Sequence, residues 1–201
     1  MKPPGCGQCL TGWCGAIPTC PAILKTDLRK EKNVLRFVFP SESNREDVLA
    51  FYAAFEKNGG QCIGCKYGKD YALWLTDMQN RRAGKNLPQG YVQENFYLCY
   101  SGEEMVGVCS LKLELTEYLL QYGGHVEYAV HPALQNRGYG TEILAQTLRI
   151  AREPGFHRLL CVCDEDNYAS EKIILKNGDV LENTLYDPEE AVTVKRYWID
   201  L

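Results

Sequence analysis

From Gln135 to Thr141 the chain reads Gln-Asn-Arg-Gly-Tyr-Gly-Thr, and an amphipathic stretch follows at once. Ile143, Leu144, Thr147, Leu148 and Ala151 recur at helical spacing, which predicts a helix that starts near Gly138 and packs on a sheet. The first four N–H groups of a helix have no intrahelical partner, and the dipole is positive at that end. Gly138 and Gly140 carry no Cβ, so a ligand can come close to the backbone and unusual φ values are open. Strand, glycine loop and helix start together make a cradle suited to a pyrophosphate. A tight turn between strand and helix is the alternative use of the two glycines. A dinucleotide fingerprint is poorly supported, because Ile143 stands where its third glycine belongs. A Walker loop is excluded, since no Gly-Lys-Ser/Thr follows.

Cysteine is the next chemistry-bearing residue type, with ten in 201 residues. Cys99, Cys109, Cys161 and Cys163 lie in apolar runs of strand character, where cysteine behaves as a small hydrophobe. Cys6, Cys9, Cys14 and Cys20 cluster at the start, and Cys62-Ile63-Gly64-Cys65 repeats the C-x-x-C spacing of Cys6 and Cys9. Two such pairs can hold zinc, but these are more than fifty residues apart and no histidine joins them. No metal is therefore expected. His125, His131 and His157 have no metal-ligand spacing and read as surface or capping residues, with His131 the one nearest the glycine loop.

The elements that must position these groups start near Leu35. Residues 1–33 read as a Cys-, Pro- and Gly-rich, loosely ordered extension, and 34–201 as one domain. The run Leu35–Phe39 predicts a strand that Pro40 stops. Ser43 to Glu46 has capping-box form, and Val48, Phe51, Tyr52 and Phe55 follow at helical spacing. A second helix is predicted from Asp70 to about Arg82, with Tyr71, Trp74, Leu75 and Met78 on one face. Asn95–Tyr100 and Met105–Leu113 read as a hairpin, and Thr116–Gly124 as a connection to the strand His125–Val130. Beyond the glycine-loop helix come a buried strand at 158–163, a short helix at about 169–176, and strands at 180–186 and 191–199. The order β-α-α-β-β-β-α-β-α-β-β predicts an α/β (α+β) fold with six to seven mostly antiparallel strands and about four helices.

Composition narrows the functional classes. A net charge of −4 argues against nucleic acid as the main partner. No apolar run reaches the length of a membrane span, and the start lacks the apolar core of a secretory signal, so the expectation is a cytoplasmic protein with reduced thiols.

Two motifs carry a resemblance. Val130-His131-Pro132 with Gln135 to Gly140, and Asn167-x-x-Ser170 before a helix ending Lys176-Asn177-Gly178, resemble the two cofactor elements of the GNAT (Gcn5-related) N-acetyltransferase superfamily. The likeness covers about residues 35–201. GGHVEYAV, CDEDN and the closing RYWIDL look most like a bacterial branch of that superfamily. The resemblance implies a transferase that moves an acetyl group from acetyl-CoA to a primary amine of a small molecule or peptide by direct attack. A non-catalytic acyl-CoA-binding or sensor module is the alternative.

It also implies roles for single residues. Gln135, Asn136, Arg137, Gly138, Tyr139, Gly140 and Thr141 would hold the pyrophosphate, chiefly by backbone N–H groups. Tyr128, Ala129 and Val130 would run beside the pantetheine arm, splayed from the strand at 158–163 to leave a V-shaped cleft. Asn167 and Ser170 would meet the cofactor at the second element. Glu127, beside the expected thioester, is the candidate base for the incoming ammonium, with a solvent-facing or ion-paired carboxylate as the alternative. Asp164 and Asp166 stand at the cleft mouth. Many members carry a tyrosine as proton donor to the departing thiolate, at a position that is Ile174 here; Tyr128, Tyr168 and Tyr197 are the tyrosines available instead. An acyl-cysteine route through Cys161 or Cys163 is disfavoured by their apolar setting. Tyr52, Tyr71, Trp74, Tyr186 and Trp198 either line an acceptor pocket or fill the core. A homodimer is left open.

Overall fold

The computed structural model describes residues 34–60, 62–64, 70–178 and 180–201. The 1–33 extension with its four clustered cysteines lies outside the described residues, as does Cys65.

The strands are β1 (Arg36–Val38), β2 (Glu94–Ser101), β3 (Glu104–Lys112), β4 (Val126–Val130), β5 (Arg158–Asp164), β6 (Val180–Asp187) and β7 (Val192–Asp200). The helices are α1 (Arg45–Lys57), α2 (Tyr71–Ala83), α3 (Tyr139–Ala151) and α4 (Tyr168–Lys176). One mixed sheet runs β1-β2-β3-β4-β5-β7-β6, and β4 with β5 is its parallel pair. Order and class are those expected from the sequence.

Alternation along the strands divides the core in two. Phe96, Leu98 and Val108 face α1 and α2, which bury Val48, Phe51, Tyr52, Phe55, Tyr71, Trp74, Leu75 and Met78 there. Tyr97, Cys99, Cys109, Leu111, Val126 and Cys161 face the other way, onto Ile143, Leu144 and Ala151 of α3 and Ile174 of α4. Tyr52, Tyr71 and Trp74 are therefore core residues, whereas Tyr186 is exposed. Cys99, Cys109, Cys161 and Cys163 are buried outside any disulfide, as small hydrophobes.

Local signals explain most boundaries. Asp70 Oδ1 accepts the Leu73 N–H at 3.1 Å to start α2, and Gly84 at φ 64° ends it. The cap before α1 falls two residues earlier than the Ser43–Glu46 pattern predicts. A 3-10 turn at Glu42–Asn44 intervenes, and Asn44 Oδ1 accepts from the Ser41 N–H at 3.1 Å and the Ser41 hydroxyl at 2.8 Å. Asn at the third position thus does what Glu was expected to do.

Two features of the β3–β4 region depart from the sequence reading. Leu119–Gly123 forms a π-helical turn where a plain connection was expected. Tyr118 Oη donates to Asp187 Oδ2 at 2.7 Å and Arg196 donates to Leu120 O at 2.9 Å, tying this segment to the β6–β7 hairpin. His125 is buried rather than on the surface. Its Nδ1 accepts the Leu160 N–H at 2.9 Å, its N–H donates to Leu160 O at 2.8 Å, and its carbonyl accepts from Lys112 N–H at 2.8 Å. One side chain and its backbone thus join β3, β4 and β5 at the point where β4 begins. Burial pushes the imidazole down to about 4, so it is neutral at pH 7.

Candidate functional site

The parallel pair β4–β5 is joined in register only at Val126↔Cys161. Beyond that point the strands part, while β4 remains paired with β3 as far as Val130↔Gly107. The gap opens a cleft of about 380 Å³. Its wall on the strand side is Tyr128, Ala129 and Val130; its mouth is Gln135, Asn136, Gly138, Tyr139, Gly140 and Thr141; its third side is Asn167 and Ser170. Eleven of the twelve binding candidates named from the sequence therefore share one cleft. Arg137 is the twelfth, and it is exposed and outside the lining. Phe55 of α1 and Ala129 lie on one face of the sheet and Tyr128 and Val130 on the other, so the cleft passes through the gap between the strands.

The two glycines have different functions. Gly138 has φ +92° and caps α3, and a Cβ there would meet nothing within 4 Å. It supplies backbone freedom beside open space. Gly140 has no positive φ, and a Cβ would lie 2.6 Å from Ile173 Cδ1 of α4. Its missing Cβ leaves room for Ile173 of α4, while the residue itself lines the mouth of the cleft. The helical ladder of α3 starts with Glu142 N–H donating to Gly138 O at 3.2 Å, so the N–H groups of Tyr139, Gly140 and Thr141 precede it, and all three residues line the mouth. Lys172 and Lys176 of α4 line the same cleft. These two cations were not singled out in the sequence; their separation by four residues, on one face of the helix that Asn167 starts, was the available signal.

The second element is held firmly. Asn167 Oδ1 accepts the Ser170 N–H at 3.0 Å, an N-cap that starts α4. Glu171 then accepts from Lys195 Nζ at 3.0 Å and from Tyr197 Oη at 2.8 Å, which fixes α4 against β7. The ammonium of Lys195 beside it holds the Glu171 carboxyl below the usual range. Across the cleft, Tyr128 Oη and Ser170 Oγ lie 2.9 Å apart.

On the α1–α2 face a wider cleft of about 920 Å³ is lined by Glu56, Ile63, Arg81, Tyr91, Glu94, Lys112, Tyr118, Leu119 and Glu127 among others. Its floor is a series of ion pairs. Arg81 bonds Asp77 and Glu94 at 2.7 Å each, Glu94 also accepts from the buried Ser110 hydroxyl, and Lys112 Nζ lies 2.9 Å from Glu127 Oε1. Lys112 Nζ is buried, and its approach to Glu127 is off the line of a well-formed hydrogen bond. Coulomb attraction does not need that line, so the ion pair stands. Glu127 thus combines both readings made of it: it is ion-paired, and its side chain is 42% exposed into a cleft. Asp164 and Asp166 are exposed and line neither cleft, so they form a solvated turn. The Cys163 thiol is pushed up to about 11 by burial, which leaves it protonated and a poor nucleophile. His131 accepts the Ala133 N–H through Nδ1 at 3.2 Å in the turn after β4 and lines neither cleft. Among the described residues, no group of three or more His, Cys, Asp or Glu side chains is placed to hold a metal ion. No helix among them is long and apolar enough to cross a membrane.

The profile of the acetyltransferase (GNAT) domain matches residues 20–179, most of the chain. The chain belongs to the GNAT acetyltransferase family. Solved structures agree at the level of fold. An acetyl transferase from Salmonella typhimurium that modifies the N-terminal serine of the 50S ribosomal subunit protein L7/L12 shares 19% identity, with 84% of this chain and 95% of that one covered and a TM-score of 0.63. The microcin C7 self-immunity acetyltransferase MccE, in complex with acetyl-CoA and AMP, shares 14% identity over 84% and 93% of the two chains, with a TM-score of 0.63. RimL, the ribosomal L7/L12 α-N-protein acetyltransferase, in complex with coenzyme A shares 18% identity over 84% and 94%, with a TM-score of 0.61. No curated protein matches the chain.

Proposed function

We propose that this GNAT acetyltransferase transfers the acetyl group of acetyl-CoA to a primary amine of a small molecule or peptide. The observation that carries the reading is the coincidence, in one cleft, of a strand pair parted after Val126↔Cys161 and an uncapped helix start at Tyr139–Thr141. The residues present fit the co-substrate. The N–H donors of α3 and the Lys172 and Lys176 ammonium groups meet phosphates; the unpaired side of β4 meets the amides of a pantetheine arm. Acetyl-CoA, when bound, supplies a thioester carbonyl open to attack.

The chain's own residues do the remainder. The 920 Å³ cleft admits the amine on the α1–α2 face, next to β4. Glu127 faces that cleft, and Lys112 holds its Oε1, leaving Oε2 without a hydrogen bond among the described residues. Glu127 takes the ammonium proton there and so provides the free amine that can attack. The charges deeper in the floor compensate one another, so they shape the pocket without adding a competing base.

A second reading, binding without catalysis, has one observation in its favour: Ile174 is buried in the core and offers no proton. Coenzyme A release in the presence of a panel of primary amines, set beside acetyl-CoA binding alone, separates the two. Release with at least one amine supports transfer; tight binding with no release across alkyl, amino-acid and peptide amines contradicts it.

A further inference from the structure

Thioester cleavage places charge on sulfur, and Ile174 cannot meet it. On the strand side of the cleft wall, among the described residues, Tyr128 carries a hydroxyl that can. Pairing of β4 with β5 ends at Val126↔Cys161, and Tyr128 is the next β4 residue on the α3–α4 face. Its side chain therefore lies at the narrow end of the gap, while Gly138 to Thr141 form the wide end. A coenzyme A with its phosphates at the wide end presents its sulfur toward the narrow one. There the Tyr128 Oη sits 2.9 Å from Ser170 Oγ, and either hydroxyl can donate to the other. When Ser170 donates, the phenolic proton is free to point into the cleft.

We propose that Tyr128, oriented by Ser170, donates a hydrogen bond to the sulfur of bound coenzyme A and stabilises it as a thiolate. The proposal rests on the cleft assignment made above. Tyr139 and Thr141 stand at the wide end of the cleft, and Lys172 and Lys176 are assigned to the phosphates. The Tyr197 hydroxyl donates to Glu171 at 2.8 Å, and Tyr168 is 73% exposed. Burial raises the Tyr128 phenol well above its ordinary value, so it keeps its proton and acts as a donor rather than an acid. As the C–N bond forms and the C–S bond breaks, the electron pair settles on sulfur. Glu127 has already taken one proton from the ammonium, solvent takes the second as the tetrahedral adduct collapses, Tyr128 retains its own, and solvent protonates the thiolate afterwards.

The test compares the affinities of coenzyme A and desulfo-coenzyme A by titration calorimetry from pH 7 to pH 9.5, in the wild type, Tyr128→Phe and Ser170→Ala. The wild type is expected to favour coenzyme A increasingly as the thiol ionises. Tyr128→Phe should reduce that preference at high pH by about tenfold or more, the worth of one hydrogen bond to a charged acceptor. Its affinity for desulfo-coenzyme A should fall far less than its affinity for the thiolate, and Ser170→Ala should give a smaller loss of the same kind. A Tyr128→Phe protein with the wild-type preference overturns the proposal alone. So does one that loses both ligands equally, because Tyr128 is then only a wall. A wild type that binds neither ligand overturns the cleft assignment, and this proposal with it.

Discussion

Glu127 illustrates how one side chain is constrained from two directions. Its carboxylate must be free enough to take a proton, yet it is the counter-charge of the buried Lys112 ammonium. Glu127→Gln should lower kcat at least about a hundredfold, the lower figure for general-base catalysis, and leave acetyl-CoA affinity nearly unchanged. The defect should shrink as pH approaches the pKa of the acceptor amine, where free base is abundant. The same change leaves a buried ammonium uncompensated, so it should also lower the melting temperature. Lys112→Met combined with Glu127→Gln separates the effects: stability should return toward wild type, whereas turnover should not. Restored turnover in the double variant would remove Glu127 from the chemistry. Gly140 gives a second test at this scale. Gly140→Ala puts a methyl group 2.6 Å from the Cδ1 tip of Ile173, which can turn aside, so it should destabilise the protein by no more than about 1 kcal/mol, the low end for overpacking, as read from urea unfolding. A loss of several kcal/mol would show that α4 cannot yield. Glycine in the sequence indicated that this loop was special, but it could not tell conformational freedom at 138 from packing at 140. That distinction depends on Ile173, thirty-three residues on.

Elements were legible wherever a local pattern decides them. Helical periodicity marked α1 to α4, and the Asp70 and Asn167 caps were visible because an N-cap is settled within three residues. The π-helical turn at Leu119–Gly123 was not legible, since it depends on Asp187 and Arg196, which lie over sixty residues away. His125 was misread for the same reason: its burial comes from Leu160 and from the rings of Phe156 and Trp198. Its titration gives the element-scale prediction. The folded imidazole, at about 4, lies below its ordinary 6.5, so the unfolded chain takes up a proton first as pH falls. The stability contributed by neutral His125 is complete above 6.5 and is lost progressively between 6.5 and 4. At pH 5 the loss is about 2 kcal/mol relative to pH 7. Asn at this position can accept the Leu160 N–H without titrating. Urea midpoints at pH 7 and pH 5 should therefore fall more in the wild type than in His125→Asn; equal slopes would show that His125 is not the group responsible.

At the scale of the whole molecule, one strand organises the function. β4 pairs fully with β3 and parts from β5 after a single register pair, so its alternate residues serve two clefts: Tyr128 on one face, Glu127 on the other. The fold was legible because the order of elements allows few sheet topologies. The phosphate end of the site was legible because it is local in the chain. The acceptor cleft was not, because its floor gathers α2, β2, β3 and β4 through side chains such as Arg81 and Glu94 that no short motif marks. Residues 1–33 show no periodic apolar face in the sequence. Their deletion should leave the melting temperature and acetyl-CoA affinity nearly unchanged, and a collapse of either would assign the clustered cysteines a structural role. The central claim is that acetyl-CoA lies in the β4–β5 gap with its phosphates on the start of α3. Calorimetric titration of acetyl-CoA into the wild type and into Gly138→Val tests it most directly. The account predicts saturable one-to-one binding by the wild type, and no measurable binding by a Gly138→Val protein whose circular dichroism still shows a folded chain. Equal affinity in the two proteins would contradict it.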